Sequence, residues 1–95
     1  MQEKIQLIHP QRKKAVSMDK VKYTLLKNAL LSYLKKFGES THTEIWKAVA
    51  KDFIERDVKF EGSIQWNMEW VKLDLEANNI IKRIPGTAPI KYKII

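Results

Sequence analysis

The sequence predicts a mainly α-helical domain with a three-helix core and a C-terminal β-hairpin. Three observations support this fold class. The chain has 95 residues, 44% of them apolar, which suits a single hydrophobic core. Three segments carry apolar residues at the three- and four-residue spacing of amphipathic helices. The C-terminal segment has two strand-like stretches around a Pro-Gly turn, as in a hairpin. We expect a basic N-terminal arm over residues 1–17 and one domain over residues 18–95.

The first helix is predicted over residues 18–37. Ser17 is the expected N-cap, and Asp19 lies in the first turn, where the helix dipole favours an acid. Gly38 is expected to end the helix, because glycine tolerates a positive φ. One apolar stripe supports the helix, formed by Tyr23, Leu26, Leu30, Tyr33, Leu34 and Phe37.

Two further helices are predicted, over residues 41–55 and 63–78. Thr41 and Glu44 have the spacing of a capping box, and His42 between them is expected to face water. Ser63 is the predicted N-cap of the third helix. Asn78 and Asn79 follow its last apolar residue, and asparagine tolerates the left-handed conformation that often ends a helix.

The hairpin is predicted to pair residues 80–84 with residues 90–95. In the second strand Ile90, Tyr92 and Ile94 share one side, whereas Lys91 and Lys93 share the other.

The composition and the motif content argue against several functional classes. The chain has no cysteine, which excludes a disulfide framework and a thiolate metal site. No catalytic motif, phosphate-binding glycine loop, metal-ligand spacing or cofactor motif is present, so we expect no enzyme, no metal, no cofactor and no small-molecule ligand. No apolar run is long enough for a membrane span or a signal peptide, and we expect a cytoplasmic protein.

Two stretches resemble winged-helix proteins, in which a β-hairpin wing follows a helix-turn-helix. They are THTEIWKAV from Thr41 and WVKLDLEANNIIKR from Trp70. The second is similar to the end of a recognition helix that enters the first wing strand, with Asn79 at the usual glycine position. Both are similar to the N-terminal domain of Mrr-type restriction endonucleases and to small uncharacterised bacterial winged-helix proteins. The resemblance does not extend to a nuclease domain, so it implies no catalytic activity.

The resemblance implies binding of double-stranded DNA, with the third helix in the major groove and the wing on the backbone. We therefore expect a DNA-binding protein, with transcriptional regulation as its role. The candidate contacts lie in the arm, the third helix and the wing: Arg12, Lys13, Lys14, Ser63, Gln65, Asn67, Lys72, Lys82, Arg83, Lys91 and Lys93.

The charge pattern favours backbone contacts over base recognition. The net charge is +7. Residues 1–38 carry nine basic side chains against two acidic ones, and residues 79–95 carry four against none. The third helix instead has three acids, Glu69, Asp74 and Glu76, against Lys72. Acids close to phosphate oppose binding, so most of the affinity is expected to come from the arm, the first helix and the wing.

A second apolar stripe on the third helix leaves an alternative open. Trp66, Trp70, Leu73 and Ala77 lie nearly opposite the first stripe, although a surface helix needs only one buried face. Either other parts of the chain cover this stripe or it contacts another molecule. A homodimer is one hypothesis, with an interface formed by Val21, Leu25, Trp66, Trp70 and Leu73. The competing function is therefore a protein–protein interaction module that uses the same scaffold without DNA.

Overall fold

The computed structural model describes residues 3–95. It is a compact α/β domain with three helices and two small antiparallel sheets. In chain order the elements are β1 (Lys4–Gln6), β2 (Ser17–Asp19), α1 (Lys20–Phe37), β3 (Ser40–Thr41), α2 (His42–Glu55), α3 (Ile64–Ala77), β4 (Ile81–Ile84) and β5 (Lys91–Ile94).

The three helices pack around one apolar core. Each helix contributes the stripe that its spacing predicts, with Leu26 and Leu30 from α1, Ile45 from α2 and Met68 and Leu75 from α3 fully or almost fully buried. Removing such side chains from water is the main stabilising term for a domain of this size. Phe37, the last residue of α1, is the exception on this stripe: it is exposed, and its ring packs against that of Tyr33.

The predicted caps of α2 and α3 are confirmed. Thr41 Oγ1 accepts the backbone N–H of Glu44, and the Glu44 carboxylate accepts the N–H of Thr41. Ser63 Oγ accepts the N–H of Trp66 at the start of α3. After α3 the chain reverses through Asn79, which has φ 59°, in the left-handed region that the sequence indicated.

The predicted N-cap of α1 is wrong. Asp19, not Ser17, caps this helix, and its carboxylate accepts the N–H of Lys22. The helix begins two residues later than expected because residues 17–19 are extended and pair with β1 as β2. The backbone groups of residues 17–19 cannot serve both a strand and a helix, and in the folded structure they pair with β1.

The segment predicted as an arm packs against the rest of the domain. Leu7 is 2% exposed and belongs to the same core as the helices. The Asp74 carboxylate of α3 is buried, and it accepts the N–H of Ile8 and the hydroxyl of Tyr23. Burial, together with this hydrogen bond, raises the pKa of Tyr23 above its ordinary value. One carboxylate therefore joins α3 to α1 and to the N-terminal segment.

The second sheet has the strand order β3-β5-β4. The predicted hairpin supplies β4 and β5, with Lys82 opposite Lys93 and Arg83 opposite Tyr92. The short strand β3, which directly precedes α2, pairs with the other edge of β5 and sets Thr41 opposite Lys91. This pairing fixes the start of α2 beside the hairpin.

Candidate nucleic-acid interface

The outer face of the three-stranded sheet is basic. Because side chains alternate along a strand, Tyr92 and Arg83 share the inner face, and Lys82, Lys91 and Lys93 share the outer one. None of these three lysines has a carboxylate within 4 Å among residues 3–95, although Glu44 of the capping box is close enough to Lys91 for attraction between their charges. Lys82 and Lys93 are cross-strand neighbours, and like charges in that position repel. An approaching anion would relieve this repulsion.

Arg83 does not belong to that face. Its Nε donates to Oε2 of Glu76 at 3.0 Å, and its guanidinium lies 5.6 Å from the centre of the Tyr92 ring. The strand alternation turns Arg83 toward α3, where it neutralises one of the acids of that helix. The structure therefore pairs Arg83 with Glu76 on the face of the sheet opposite to the other three wing cations, although the Arg83 side chain remains 44% exposed.

A second group of cations lies on the N-terminal segment. Arg12, Lys13 and Lys14 are all exposed, and the chain turns tightly at Arg12, whose N–H donates to the carbonyl of His9. The bond from Ile8 N–H to Asp74 connects this segment to one flank of α3. The ion pair between Arg83 and Glu76 connects the hairpin to the other flank, because positions 74 and 76 lie about 160° apart around an α-helix. The outward face of α3 is therefore bordered by a cationic segment on each side.

The first turns of α3 border a cleft of about 390 Å³, lined by His42, Ser63, Gln65, Trp66 and Glu69. The structure brings Ser63 and Gln65 together here, but Ser63 Oγ already caps the helix. Asn67 is also engaged, since its Nδ2 donates to the carbonyl of Ser63 at 2.7 Å. Of these three candidates for base contacts, Gln65 has an exposed amide that makes no hydrogen bond to the described part of the chain. The helix offers little for base recognition.

Lys72 was expected on the exposed side of α3, and this prediction is wrong. Its side chain is fully buried, at 0% exposure. The ammonium lies 3.9 Å from the centre of the Tyr92 ring and 3.5 Å from Oε2 of Glu69, but it makes no hydrogen bond within residues 3–95. Burial lowers the pKa of Lys72 from 10.5 to about 8, against the attraction of Glu69. The cation–π contact with Tyr92 replaces part of the solvation that an exposed ammonium would have.

His42 is the residue of this site that the sequence interpretation missed. It was expected to face water inside the capping box, but its side chain is only 21% exposed. Its Nδ1 is buried, makes no hydrogen bond to the described residues, and lies 3.5 Å from the same Glu69 Oε2 that pairs with Lys72. Burial and then the Lys72 charge lower the pKa of His42, whereas Glu69 raises it. One carboxylate is shared by two cationic or potentially cationic side chains.

A signal for Lys72 was present in the helical pattern. Position 72 follows Val71 and lies four residues after Met68, so it borders the buried stripe at about 100° per residue. For His42 no comparable signal existed, because its neighbours Glu69 and Lys72 come from a distant part of the sequence.

The second apolar stripe of α3 faces outward. Trp66 is 54% exposed, and its ring lies 6.2 Å from that of the half-buried Trp70 in an edge-on arrangement. Leu73 is also half-buried. Of the expected companions, Val21 is exposed on α1, and Leu25 lines a groove of about 900 Å³ between α1 and α2. That groove contains Glu55 and Arg56 at the C-terminal end of α2, about 20 Å from the end that carries His42. Leu25 therefore lines a different surface groove from the cleft that Trp66 borders.

One protein family matches nearly the whole chain. Its model, described as a family of unknown function (DUF6958), matches residues 4–92. The chain belongs to this family. No curated protein matches it, and no solved structure matches it.

Residues 3–95 contain no group of three or more histidine, aspartate and glutamate side chains placed to hold a metal ion. Within the same range, no helix has both the length and the apolar character that crossing a bilayer requires.

Replacing Lys72 by Met tests the burial of its charge. The folded state binds fewer protons than the unfolded state between pH 8 and 10.5, so stability should rise with pH in that interval. We expect the wild-type free energy of unfolding to increase by about 2 kcal/mol between about pH 7.5 and 9.5, measured by urea denaturation. Lys72→Met should lose this increase, because methionine fills a similar volume without a charge.

Lys59→Met is the matched control, since Lys59 is an exposed loop lysine, and it should keep the wild-type pH profile. A Lys72→Met profile that still follows the wild type would contradict the assignment.

Proposed function

We propose that this protein binds double-stranded DNA without catalysing a reaction, mainly through its phosphate backbone, and that it acts as a transcriptional regulator in the cytoplasm. The observation that carries the proposal is the outer sheet face with Lys82, Lys91 and Lys93 beside the starts of α2 and α3. Phosphate contacts supply most of the affinity in weakly specific DNA binding.

The connectivity supports a winged-helix interpretation. After α1 comes a short strand, then two helices, then a hairpin, and the short strand pairs with the last strand to give the order β3-β5-β4. In this arrangement α3 takes the place of the recognition helix and the hairpin takes the place of the wing. The assignment of a function to this fold is an analogy, since one fold hosts many functions.

The charges of the surface support backbone binding rather than base recognition. On α3 the half-exposed Glu69 and the exposed Trp66 face outward, and Lys72 is withdrawn into the core. The cations instead lie on both flanks, with Lys82, Lys91 and Lys93 on one side and the Arg12–Lys14 turn on the other. A duplex laid across α3 would meet positive charge at its two backbones and an acidic, apolar surface between them.

The salt dependence of duplex binding tests this proposal. With four to six phosphate contacts, the log–log slope of affinity against salt should be about −4 to −5. The double variant Lys82→Gln and Lys93→Gln should flatten this slope by about two, because each substitution removes one phosphate contact. The measurement is fluorescence anisotropy with a short mixed-sequence duplex over a salt series.

Lys36→Gln with Lys51→Gln is the control, because it removes the same charge from the groove between α1 and α2. It should leave the slope near the wild-type value. Equal slopes for the two double variants, or no binding of the wild type at low salt, would contradict the proposal.

A protein–protein interaction module is the second candidate, favoured by the exposed stripe of α3. Trp66 and Trp70 lie on the outward face with Leu73 beside them, and exposed tryptophan is typical of interface centres. In this candidate, two copies of the chain associate through Trp66, Trp70 and Leu73, whereas Leu25 lies in another surface groove.

Sedimentation velocity at micromolar concentration tests the homodimer. If the stripe forms the interface, the wild type should sediment as a dimer and Trp66→Ser as an 11.2 kDa monomer, because a central tryptophan often carries more than 2 kcal/mol of binding energy. Ile54→Ser is the control, since Ile54 is exposed near the other end of α2 and should not change the association state. A monomeric wild type would remove this candidate.

A further inference from the structure

The cleft between α2 and α3 contains a charge cluster that the phosphate-binding proposal does not use. Oε2 of Glu69 lies 3.5 Å from Nδ1 of His42 and 3.5 Å from Nζ of Lys72. His42 and Glu69 line the cleft, and Lys72 lies behind Glu69, beneath the Tyr92 ring. Neither His42 Nδ1 nor Lys72 Nζ has a hydrogen-bond partner within residues 3–95. Both nitrogens are therefore held close to a single carboxylate that satisfies neither of them fully.

The charge of this cluster depends on His42. With a neutral imidazole, the Glu69 carboxylate and the Lys72 ammonium cancel each other, so the cleft presents no net charge to an anion. A protonated imidazole shares the same carboxylate, and the cluster becomes positive by one charge. The other charges near His42 do not cancel the added positive charge. On α2 the Glu44 carboxylate is engaged in the capping box, and Lys91 of β5 attracts it. Behind Lys72, Glu76 and Arg83 form a pair with no net charge.

We propose that His42 is a proton-controlled switch that raises the affinity of the cleft for nucleic-acid phosphate when the imidazole is protonated; this inference rests on the proposed function. The position of His42 supports it. His42 is the first residue of α2 and lies between the cleft and the strand pairing of Thr41 with Lys91. Protonation thus adds a cation between the start of α3 and the basic sheet face, where a phosphate backbone would pass.

The surroundings of His42 place the switch on the acidic side of neutrality. Burial and the Lys72 ammonium lower the pKa of His42 below its ordinary value of 6.5, so the imidazole is neutral at pH 7.5. The pKa of His42 is lower in the folded state than in the unfolded state, so protonation of the imidazole at falling pH also reduces the stability of the fold. A bound phosphate would offset that loss by pairing with the imidazolium.

Duplex binding at two pH values tests the switch, with a short mixed-sequence duplex as the probe. Between pH 7.5 and a pH below the titration midpoint of His42, the wild-type affinity should rise about fivefold, and the salt slope should steepen by about one phosphate contact. His42→Gln should bind with the same affinity at both values, because glutamine does not titrate. His9→Gln is the matched control at the other histidine of the chain, and it should keep the wild-type pH response.

Titration of the His42 imidazole by NMR, without DNA, separates this inference from the proposed function. In wild type it should titrate below 6.5, and Lys72→Met should raise its midpoint because the neighbouring ammonium is gone. The pH at which duplex affinity changes should shift upward together with this midpoint.

Any one of three results would overturn the switch alone: duplex binding that does not change with pH, a pH response that persists in His42→Gln, or a pH response that disappears in His9→Gln. Absence of wild-type binding at both pH values would overturn the proposed function and the switch together. The imidazole titration would still report whether the coupling between His42 and Lys72 exists.

Discussion

The contact between the Lys72 ammonium and the Tyr92 ring is the constraint on which the arrangement of this domain depends. A lysine is costly to bury, and here it is fully buried at the junction of α3 and β5. The aromatic face, the Glu69 carboxylate and the pair of Arg83 with Glu76 surround it. These groups come from three different elements, so the hairpin has to dock on α3 in one orientation to keep the charge compensated.

This docking decides where the positive charge of the surface lies. With Tyr92 and Arg83 turned inward, strand alternation turns Lys82, Lys91 and Lys93 outward. With Lys72 withdrawn from its surface, α3 presents Trp66 and Glu69 instead. The domain consequently has cationic flanks around an acidic and apolar helix, which suits a ligand recognised by its backbone charge more than by its base edges.

Local signals in the sequence predicted much of the fold. The capping box at Thr41, the cap at Ser63 and the reversal at Asn79 each depend on residues within a few positions of one another, so their geometry is readable from spacing alone. The start of α1 was mispredicted because Ser17 pairs with Gln6 in a strand. That competition between strand and helix involves residues distant in sequence.

The candidate site was less predictable for the same reason. Lys82, Lys91 and Lys93 followed from strand alternation, but the inward turn of Arg83 depends on Glu76, and the burial of Lys72 depends on Tyr92. The role of His42 depends on Glu69, which lies on another helix. Each of these contacts is a tertiary pairing of a charged or titratable side chain, and charge alone predicts exposure for such residues.

A direct measurement of the Lys72 ammonium tests the central claim that this cation is buried beneath Tyr92. Lysine side-chain NMR of the intact protein, with Lys72 assigned by comparison with Lys72→Met, follows its protonation as the pH is raised. The structure predicts a midpoint at about 8, separated from the exposed lysines. A Lys72 signal that titrates near 10.5 with the other lysines would show a solvated side chain and would contradict this account of how the hairpin docks on α3.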